Sequence, residues 1–347
     1  MRPARFGAGV VLMSIMSWVL YSALFCFQVG ARTAAEYWLY DAMTVKRHLL
    51  RAMADKRKVL LVGGSSVWFG LDAGQVQQEL GIDTLNLGLH AMHPLDRLVS
   101  DVRTDVKSGD IIIMQLEYDY YTIDTPYNDW YVNQVMAGNP ESFWELNWRE
   151  KVEFFLSVPP LRVLEGVGTR VTAFSPAELQ KRIPMQPPEQ VLLLMQRVWA
   201  AHAIPEGNYT IRNIDPQGNA VVAKGTFTSY GYPFNGQSVA RVYPWNTLRE
   251  FVRYCAARGV SLYIGWPPVV KGSMAFDSPR IQEKVRTIEE KLAELKIPVL
   301  GQAGDFQYDR RLFADTGYHL THEGRALHTK HLLERLREKM SVPNLSS

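Results

Sequence analysis

The sequence predicts an α/β fold, a sandwich with a mostly parallel sheet, preceded by one N-terminal transmembrane helix. Short apolar runs alternate with segments of helical periodicity on both sides of the middle of the chain, which is typical of parallel strands joined by helices. Residues 6–31 contain no charged side chain, and about 20 apolar residues are enough to cross a hydrocarbon core. These two observations define the fold class.

The composition excludes several classes of protein. The 347 residues are 47% hydrophobic, which is enough for a large core. The formal net charge of +3 is too small to indicate nucleic-acid binding. The two cysteines, Cys26 and Cys255, lie too far apart in sequence to suggest a disulfide framework or a metal pattern. We therefore expect neither a cofactor nor a metal.

The N-terminal part of the chain is expected to anchor the protein in a membrane. Residues 1–32 read as the transmembrane anchor and residues 33–57 as a juxtamembrane helix with aromatic side chains at the membrane boundary. Arg2 and Arg5 precede the apolar segment, so the positive-inside rule leaves the N-terminus in the cytoplasm and the rest outside it. A cleaved signal peptide is the alternative, although its apolar region is usually only about 7–15 residues long.

Strands and helices alternate through the predicted domain at residues 58–340, except in one insertion. We predict strands at 59–62, 84–87, 111–116, 260–264 and 298–300, and helices at 73–80, 95–106, 246–258, 280–295 and 323–340. The run 111–116 is continuously apolar, as in a strand buried on both faces, and Asn246 is the expected N-cap of its helix. Residues 124–244 instead indicate an irregular insertion with some helix and a hairpin.

A turn of small residues follows the first predicted strand. It reads Gly64-Ser65-Ser66-Val-Trp-Phe-Gly70, and ligands on doubly wound sheets bind beyond the carboxyl ends of the strands. A serine there can act as a nucleophile if a histidine activates it. The motif lacks the Gly-Lys-Ser/Thr ending of a P-loop. A turn whose hydroxyls only cap a helix is the alternative interpretation.

This turn and the segment His319-Leu-Thr-His-Glu-Gly324 resemble the first and last blocks of the SGNH (GDSL-like) hydrolase superfamily. The resemblance implies a flavodoxin-like three-layer sandwich. It also implies Ser66 as nucleophile, because Gly70 follows four residues later, with Ser65 in the aspartate position; a shift by one would make Ser65 the nucleophile. His319 is then the base and Asp315 the orienting acid, with Asp309 in reserve. The neighbouring histidines are expected to face solvent: His322, His328 and His331.

The middle blocks of the superfamily match unevenly. Asn86-Leu87-Gly88 resembles the second block, whose backbone N–H helps to form the oxyanion hole. The Gly-x-Asn of the third block is replaced here by Glu117-Tyr118-Asp119. An ionised aspartate only accepts hydrogen bonds, and the loss of one oxyanion donor costs about 10²–10³ in rate. Either Asn86 or Asn128 supplies the donor, or activity is weak, or the site binds without turnover.

The serine before the nucleophile resembles the membrane-anchored branch of the superfamily that acts on acyl groups of cell-wall polymers and exopolysaccharides. The resemblance implies an O-acetyltransferase in the inner membrane with a periplasmic catalytic domain, a polysaccharide substrate and a multi-span membrane-bound O-acyltransferase as partner. An acetylesterase and a non-catalytic polysaccharide-binding or scaffold subunit are the alternatives. Trp130, Trp144 and Trp148 of the insertion are candidates to stack on sugar rings or to pack in a core.

Overall fold

The chain is a mixed α/β protein with a mostly parallel central sheet. The computed structural model describes residues 3–33, 35–172, 187–204, 210–221, 227, 234, 237–272 and 278–341, and this part contains 13 α-helices. The chain divides into two compact units. The first unit comprises Met1–Tyr40 and Tyr127–Met185, and the second comprises Asp41–Pro126 and Gln186–Ser347.

The helices and strands of the described residues have the following bounds. The helices are α1 (Pro3–Gln28), α2 (Trp38–Ala52), α3 (Ser65–Gly70), α4 (Ala73–Leu80), α5 (Leu95–Arg103), α6 (Asp129–Gly138), α7 (Pro140–Glu145), α8 (Trp148–Ser157), α9 (Pro160–Val171), α10 (Pro188–Ala200), α11 (Tyr243–Arg258), α12 (Pro279–Glu294) and α13 (His322–Ser341). The strands are β1 (Lys58–Gly63), β2 (Asp83–Asn86), β3 (Ile111–Gln115), β4 (Ser261–Gly265), β5 (Val269–Val270), β6 (Val299–Leu300) and β7 (Gln307–Tyr308).

The second unit contains a five-stranded sheet in the order β2-β1-β3-β4-β6. All neighbouring strands in it are parallel, and every residue of β1 and β3 is buried. Burial of parallel strands on both faces explains why these strands are continuously apolar in the sequence. After β2 the chain returns to the other side of β1, so the strand order reverses between β1 and β3. Ligands on such sheets bind beyond the carboxyl ends of the strands at this point.

Local signals set the ends of several helices in the second unit. Asp72 begins α4 by accepting hydrogen bonds from the amides of Gly74 and Gln75, and Gly81 ends it in the left-handed conformation at φ 67°. Such caps satisfy amides and carbonyls that have no partner within the helix. The predicted helix 73–80 is confirmed at both ends.

The start of α11 differs from the prediction. The helix begins at Tyr243, not after Asn246, because its first amides are bound by a side chain from a distant loop. The carboxylate of Asp124 accepts from the amides of Arg241, Val242 and Tyr243. The expectation that Asn246 is the N-cap is therefore wrong: Val242 occupies the N-cap position, and Asp124, 119 residues before Tyr243, supplies the accepting carboxylate.

The first unit joins the N-terminal helix to residues from the predicted insertion. Its core comprises Phe25 and Val29 at the end of α1 together with apolar side chains of the segment that carries α6 to α9, such as Phe143 and Phe154. Gly9–Gln28 of α1 is long and apolar enough to span a membrane. The structure thus divides residues 124–244, which the sequence suggests as one insertion, between two units, with α10 and the turn at 215–219 in the second.

Candidate active site

The serine turn lies at the carboxyl end of β1, where three segments of the second unit meet. A Cβ atom on Gly64 would lie 2.5 Å from both carboxylate oxygens of Glu117 and 2.7 Å from the Cα atom of Ala91. One on Gly63 would lie 2.0 Å from the carbonyl oxygen of Gln115. Only glycine fits at these two positions, which explains why the turn has no side chains before the serines.

The two serines of the turn have different environments. Ser66 is fully buried, and the side-chain amide of Gln115 lies 3.2 Å from its carbonyl oxygen and 3.5 Å from its hydroxyl. Ser65 is partly exposed and lies one helical turn before Phe69, on the same helix face. The ring of Phe69 stacks on the imidazole of His319 with a centroid distance of 4.4 Å. Ser66 lies three residues before Phe69 and is also its neighbour on the helix, so what distinguishes Ser65 from the predicted Ser66 is that Ser65 is partly exposed and Ser66 is buried.

The structure brings His319 and Asp315 together. Asp315 Oδ1 lies 2.9 Å from His319 Nδ1, and the amide of Ala314 donates to the carbonyl oxygen of His319 at 2.8 Å. This backbone bond closes a tight loop, so the extra residue in the spacing still delivers the carboxylate to the imidazole. The reserve acid, Asp309, accepts instead from the amide of Arg311.

His319 is not hydrogen-bonded to the hydroxyl of either serine in the described part of the chain. Bonds between a catalytic base and its nucleophile are often long before substrate binds and shorten in the complex. Asp315 is hydrogen-bonded to Nδ1, and Nε2 is the second, chemically distinct ring nitrogen. The imidazole of His319 is therefore oriented by a carboxylate and lies beside α3.

Glu117 binds the serine turn from the loop after β3. Its Oε1 accepts a hydrogen bond from the amide of Ser66 at 2.7 Å, and the side chain is completely buried. Burial raises the pKa of Glu117 to about 7, although hydrogen bonds from Ser66 act in the opposite direction. Among the described residues, Oε2 has no hydrogen-bond partner. In the sequence this position stands out only because it differs from the superfamily pattern, and nothing there indicates the contact with Ser66.

Asp119 and Tyr318 lie in the same buried region. Burial raises the pKa of Asp119 to about 6, so the carboxyl loses its proton less readily than an exposed aspartate. Burial, followed by the charge of Asp119, also raises the pKa of Tyr318, which therefore keeps its phenolic proton. The hydroxyl of Tyr318 is buried and has no partner in the described part of the chain. In the sequence, Tyr318 was connected with the site only through its position directly before His319.

Asn86 and Gly88 have structural roles that exclude the predicted contribution to an oxyanion hole. The amide of Gly88 donates to Asn86 Oδ1 at 2.9 Å, so it has no N–H left for a substrate. The side-chain amide of Asn86 donates to the carbonyl oxygens of Val67 and Leu71. These bonds fix the loop after β2 against α3. The other predicted donor, Asn128, caps α6 in the first unit.

His328 is buried, contrary to the expectation that it faces solvent. Its Nε2 lies 2.8 Å from Gln115 Oε1, and the hydroxyl of Tyr308 lies 3.1 Å from its Nδ1. Because the amide nitrogen of Gln115 faces Ser66, its oxygen must accept from His328. Burial lowers the pKa of His328 to about 3, so the ring is neutral. Of the other two histidines, His322 is exposed and His331 is half-buried.

His90 approaches the site from the loop after β2. Burial lowers its pKa to about 4, with further contributions from His93 and His319, so this imidazole is neutral at physiological pH.

In the described residues no group of three or more His, Cys, Asp or Glu side chains is placed to hold a metal ion. No protein-family model and no curated protein matches the chain.

Proposed function

We propose that this protein is an SGNH-type O-acyltransferase that transfers acetyl groups to an extracytoplasmic bacterial polysaccharide. The proposal rests on the observation that His319 is hydrogen-bonded to Asp315 and stacks on Phe69 of α3, the helix that begins with Ser65. Covalent acyl transfer requires a serine, a histidine and a carboxylate that orients the histidine. The serine turn follows β1, next to the point where the strand order reverses.

The strand order supports the same superfamily. The order β2-β1-β3-β4-β6 corresponds to the flavodoxin-like order 2-1-3-4-5, which the superfamily resemblance implies. We place the helices of the second unit on both faces of the sheet, as a three-layer sandwich. In this arrangement the serine turn follows β1 and Glu117 follows β3.

In the proposed mechanism Ser65 is the nucleophile. Its Oγ attacks the carbonyl carbon of the donor ester while His319 Nε2 takes the hydroxyl proton. The tetrahedral intermediate collapses to an ester on Ser65, and His319 returns the proton to the departing alcohol. A sugar hydroxyl then attacks this ester as His319 takes its proton. Release of the acetylated sugar restores the Ser65 hydroxyl, which regains that proton.

Two groups of the chain can donate to the oxyanion in place of the asparagine that the superfamily uses. The amide of Ser65 is the first of α3 and needs no partner within the helix. The hydroxyl of Tyr318 keeps its proton, because burial raises its pKa, and it donates no hydrogen bond within the described residues. An oxyanion hole needs donors that are fixed before the charge develops, and both groups are fixed by the fold.

The anchor and the partner belong to the same proposal. The apolar segment Gly9–Gln28 would hold the protein in the inner membrane with the second unit in the periplasm. There a multi-span membrane-bound O-acyltransferase would supply the acetyl group. If water reaches the acyl-serine before a sugar hydroxyl does, the same residues perform the reaction of an acetylesterase.

The two serines provide a matched pair of variants for testing the mechanism. The purified protein is treated with p-nitrophenyl acetate and its intact mass is measured. We expect an acetyl adduct on the wild type and on Ser66→Ala, and none on Ser65→Ala. Turnover should fall by about 10³-fold or more in Ser65→Ala and His319→Ala, because triad members act as one unit.

Two results would contradict the proposed role of Ser65. An adduct that is lost in Ser66→Ala but kept in Ser65→Ala would assign the nucleophile to Ser66. Normal polymer acetylation in cells that carry the Ser65→Ala, Ser66→Ala double variant would show that the chain is a binding or scaffold subunit.

A further inference from the structure

The turn between α8 and α9 in the first unit is unusually apolar. Residues 154–161 read Phe-Phe-Leu-Ser-Val-Pro-Pro-Leu, without a charged side chain. Pro160 begins α9, where the missing N–H of a proline has no cost. We propose that this helical hairpin is a second membrane-embedded element, which dips into the bilayer beside the C-terminal half of α1.

Contacts with α1 place the hairpin alongside the apolar segment. The ring of Phe155 lies 5.3 Å from that of Trp18, 5.3 Å from that of Tyr21 and 4.8 Å from that of Phe25, measured between centroids. The hydroxyl of Tyr21 donates to the carbonyl oxygen of Val158 in the turn itself. Tyr21 lies seven residues before the end of α1, which is about 10 Å at 1.5 Å per residue. If α1 crosses the bilayer, the turn lies inside the hydrocarbon region.

The outer face of the hairpin is exposed although it is apolar. Leu156 is 65% exposed, Leu161 is 79% exposed and Leu164 is 57% exposed, whereas Phe154 and Val163 on the inner face are buried in the core of the unit. Contiguous apolar side chains on a surface mark an interaction site. Here they continue the exposed apolar surface of α1, so the occupant that covers α1 also covers the hairpin. For a helix of this length and composition that occupant is the acyl chains of lipids.

The two arginine side chains of α9 are hydrogen-bonded to the end of α1. The guanidinium of Arg162 donates to Gln28 Oε1 and to the hydroxyl of Thr33, and that of Arg170 donates to the carbonyl oxygen of Val29. These groups lie at the level where the apolar segment ends. Arginine side chains near the end of a span commonly place their charge at the interface while their stems remain in apolar surroundings.

Trp144 lies at the same level as the end of α1. Its ring is 4.9 Å from that of Phe143, which in turn is 5.4 Å from that of Phe25 in the last turn of α1. Tryptophan is enriched at membrane interfaces because its ring is amphipathic. This position makes Trp144 an interfacial anchor and argues against its proposed role in stacking on sugars.

Fluorescence quenching at single cysteines tests the proposal on the full chain. Leu161→Cys is made in a Cys26→Ala background, since the other native cysteine, Cys255, is buried. The thiol is labelled with a nitrobenzoxadiazole probe, and the protein is reconstituted in phosphatidylcholine–phosphatidylglycerol vesicles. Met13→Cys on the exposed surface of α1 is the positive control, and Val242→Cys, 55% exposed in the second unit, is the negative control.

We expect lipids with nitroxide groups on their acyl chains to quench the probes at positions 161 and 13 several-fold more than the probe at 242. Iodide in the aqueous phase should show the reverse order. The same result is expected at Leu156, which provides a second position if the first variant does not fold.

Three outcomes would overturn the proposal. A probe at 161 that behaves like that at 242, with 13 still in lipid, would leave the anchor intact but place the hairpin in water. If the probes at positions 13 and 161 are both in water, the result would also contradict the membrane anchoring of α1. A probe at 161 that neither quencher reaches would mean that protein, and not lipid, covers the hairpin. None of these outcomes depends on the chemistry at the serines.

Discussion

The carboxyl group of Glu117 determines the geometry of the serine turn. It occupies the space next to Gly64 and accepts the amide hydrogen of Ser66. A carboxyl that is buried without a cationic partner favours its neutral form. Protonation of Glu117 is therefore linked to the stability of the fold.

Replacing Glu117 by glutamine should change how stability depends on pH. The folded state raises the pKa of Glu117 from 4.5 to about 7, so between these values the folded protein holds a proton that the unfolded chain has lost. The free energy of unfolding should fall as the pH rises through this window, by on the order of 2–3 kcal/mol. Glu117→Gln keeps an acceptor for Ser66 but has no such proton, and should lose this slope.

Urea denaturation at pH 5 and pH 8 measures this difference. Glu294→Gln, at an exposed position on α12, is the matched control and should keep the slope of the wild type. An identical slope in Glu117→Gln would contradict the assignment.

Single residues of the site were predictable to different degrees. The spacing around His319 identified Asp315 correctly as its neighbour, because a carboxylate four residues away can reach the imidazole through a tight loop. The choice between Ser65 and Ser66 was not predictable, since it depends on which face of a six-residue helix packs inward. The sequence also did not indicate that the amide of Gly88 is already hydrogen-bonded to the side chain of Asn86.

At the level of elements, the junction of β1 and α3 is the most tightly packed part of the site. The three segments that meet there leave no room for a side chain at Gly64, and a methyl group would contact both the carboxylate of Glu117 and the backbone of Ala91. Crowding in a well-packed interior forces backbone shifts.

We expect Gly64→Ala to destabilise the protein by about 1–3 kcal/mol and to abolish acylation by p-nitrophenyl acetate. Gly304→Ala is the control, because a Cβ atom there would meet nothing within 4 Å. Thermal unfolding monitored by circular dichroism measures both. Equal midpoints for the two variants would contradict the role given to this junction.

The sequence of α13 contains a signal for the burial of His328. His328 was expected to face solvent on the closing helix, but Leu332 and Leu336 follow it at intervals of four residues and are buried. Positions four apart lie on one face of a helix, so this spacing places His328 on the buried stripe. Its partner Gln115 ends an otherwise apolar strand, which was a second signal.

For the whole molecule, the N-terminal segment leads to a prediction of topology. With Arg2 and Arg5 before the apolar segment, residues from about 33 onward should lie outside the cytoplasm. Alkaline phosphatase fused after Ser347 should be active in cells, whereas the same enzyme fused after Arg5 should be inactive. Release of the protein by a salt wash, or a mature N-terminus near Ala35, would contradict the uncleaved anchor.

The sheet was largely predictable from sequence, and the division into units was not. The predicted strands agree with β1, β2, β3, β4 and β6 to within one or two residues, because buried parallel strands form apolar runs. By contrast, the first unit assembles Phe25 with Phe143 and Phe154, which lie more than a hundred residues later. Patterns within a short window do not indicate such pairings.

The network around His328 also imposes an order of events during synthesis. His328 follows Gln115 by 213 residues, and His319 and Asp315 lie in the same late part of the chain. Synthesis begins at the N-terminus, so the serine turn leaves the ribosome long before His328, His319 and Asp315. A nascent chain therefore carries its serines without a base. Under the proposed mechanism the site is therefore complete only after α13 has docked.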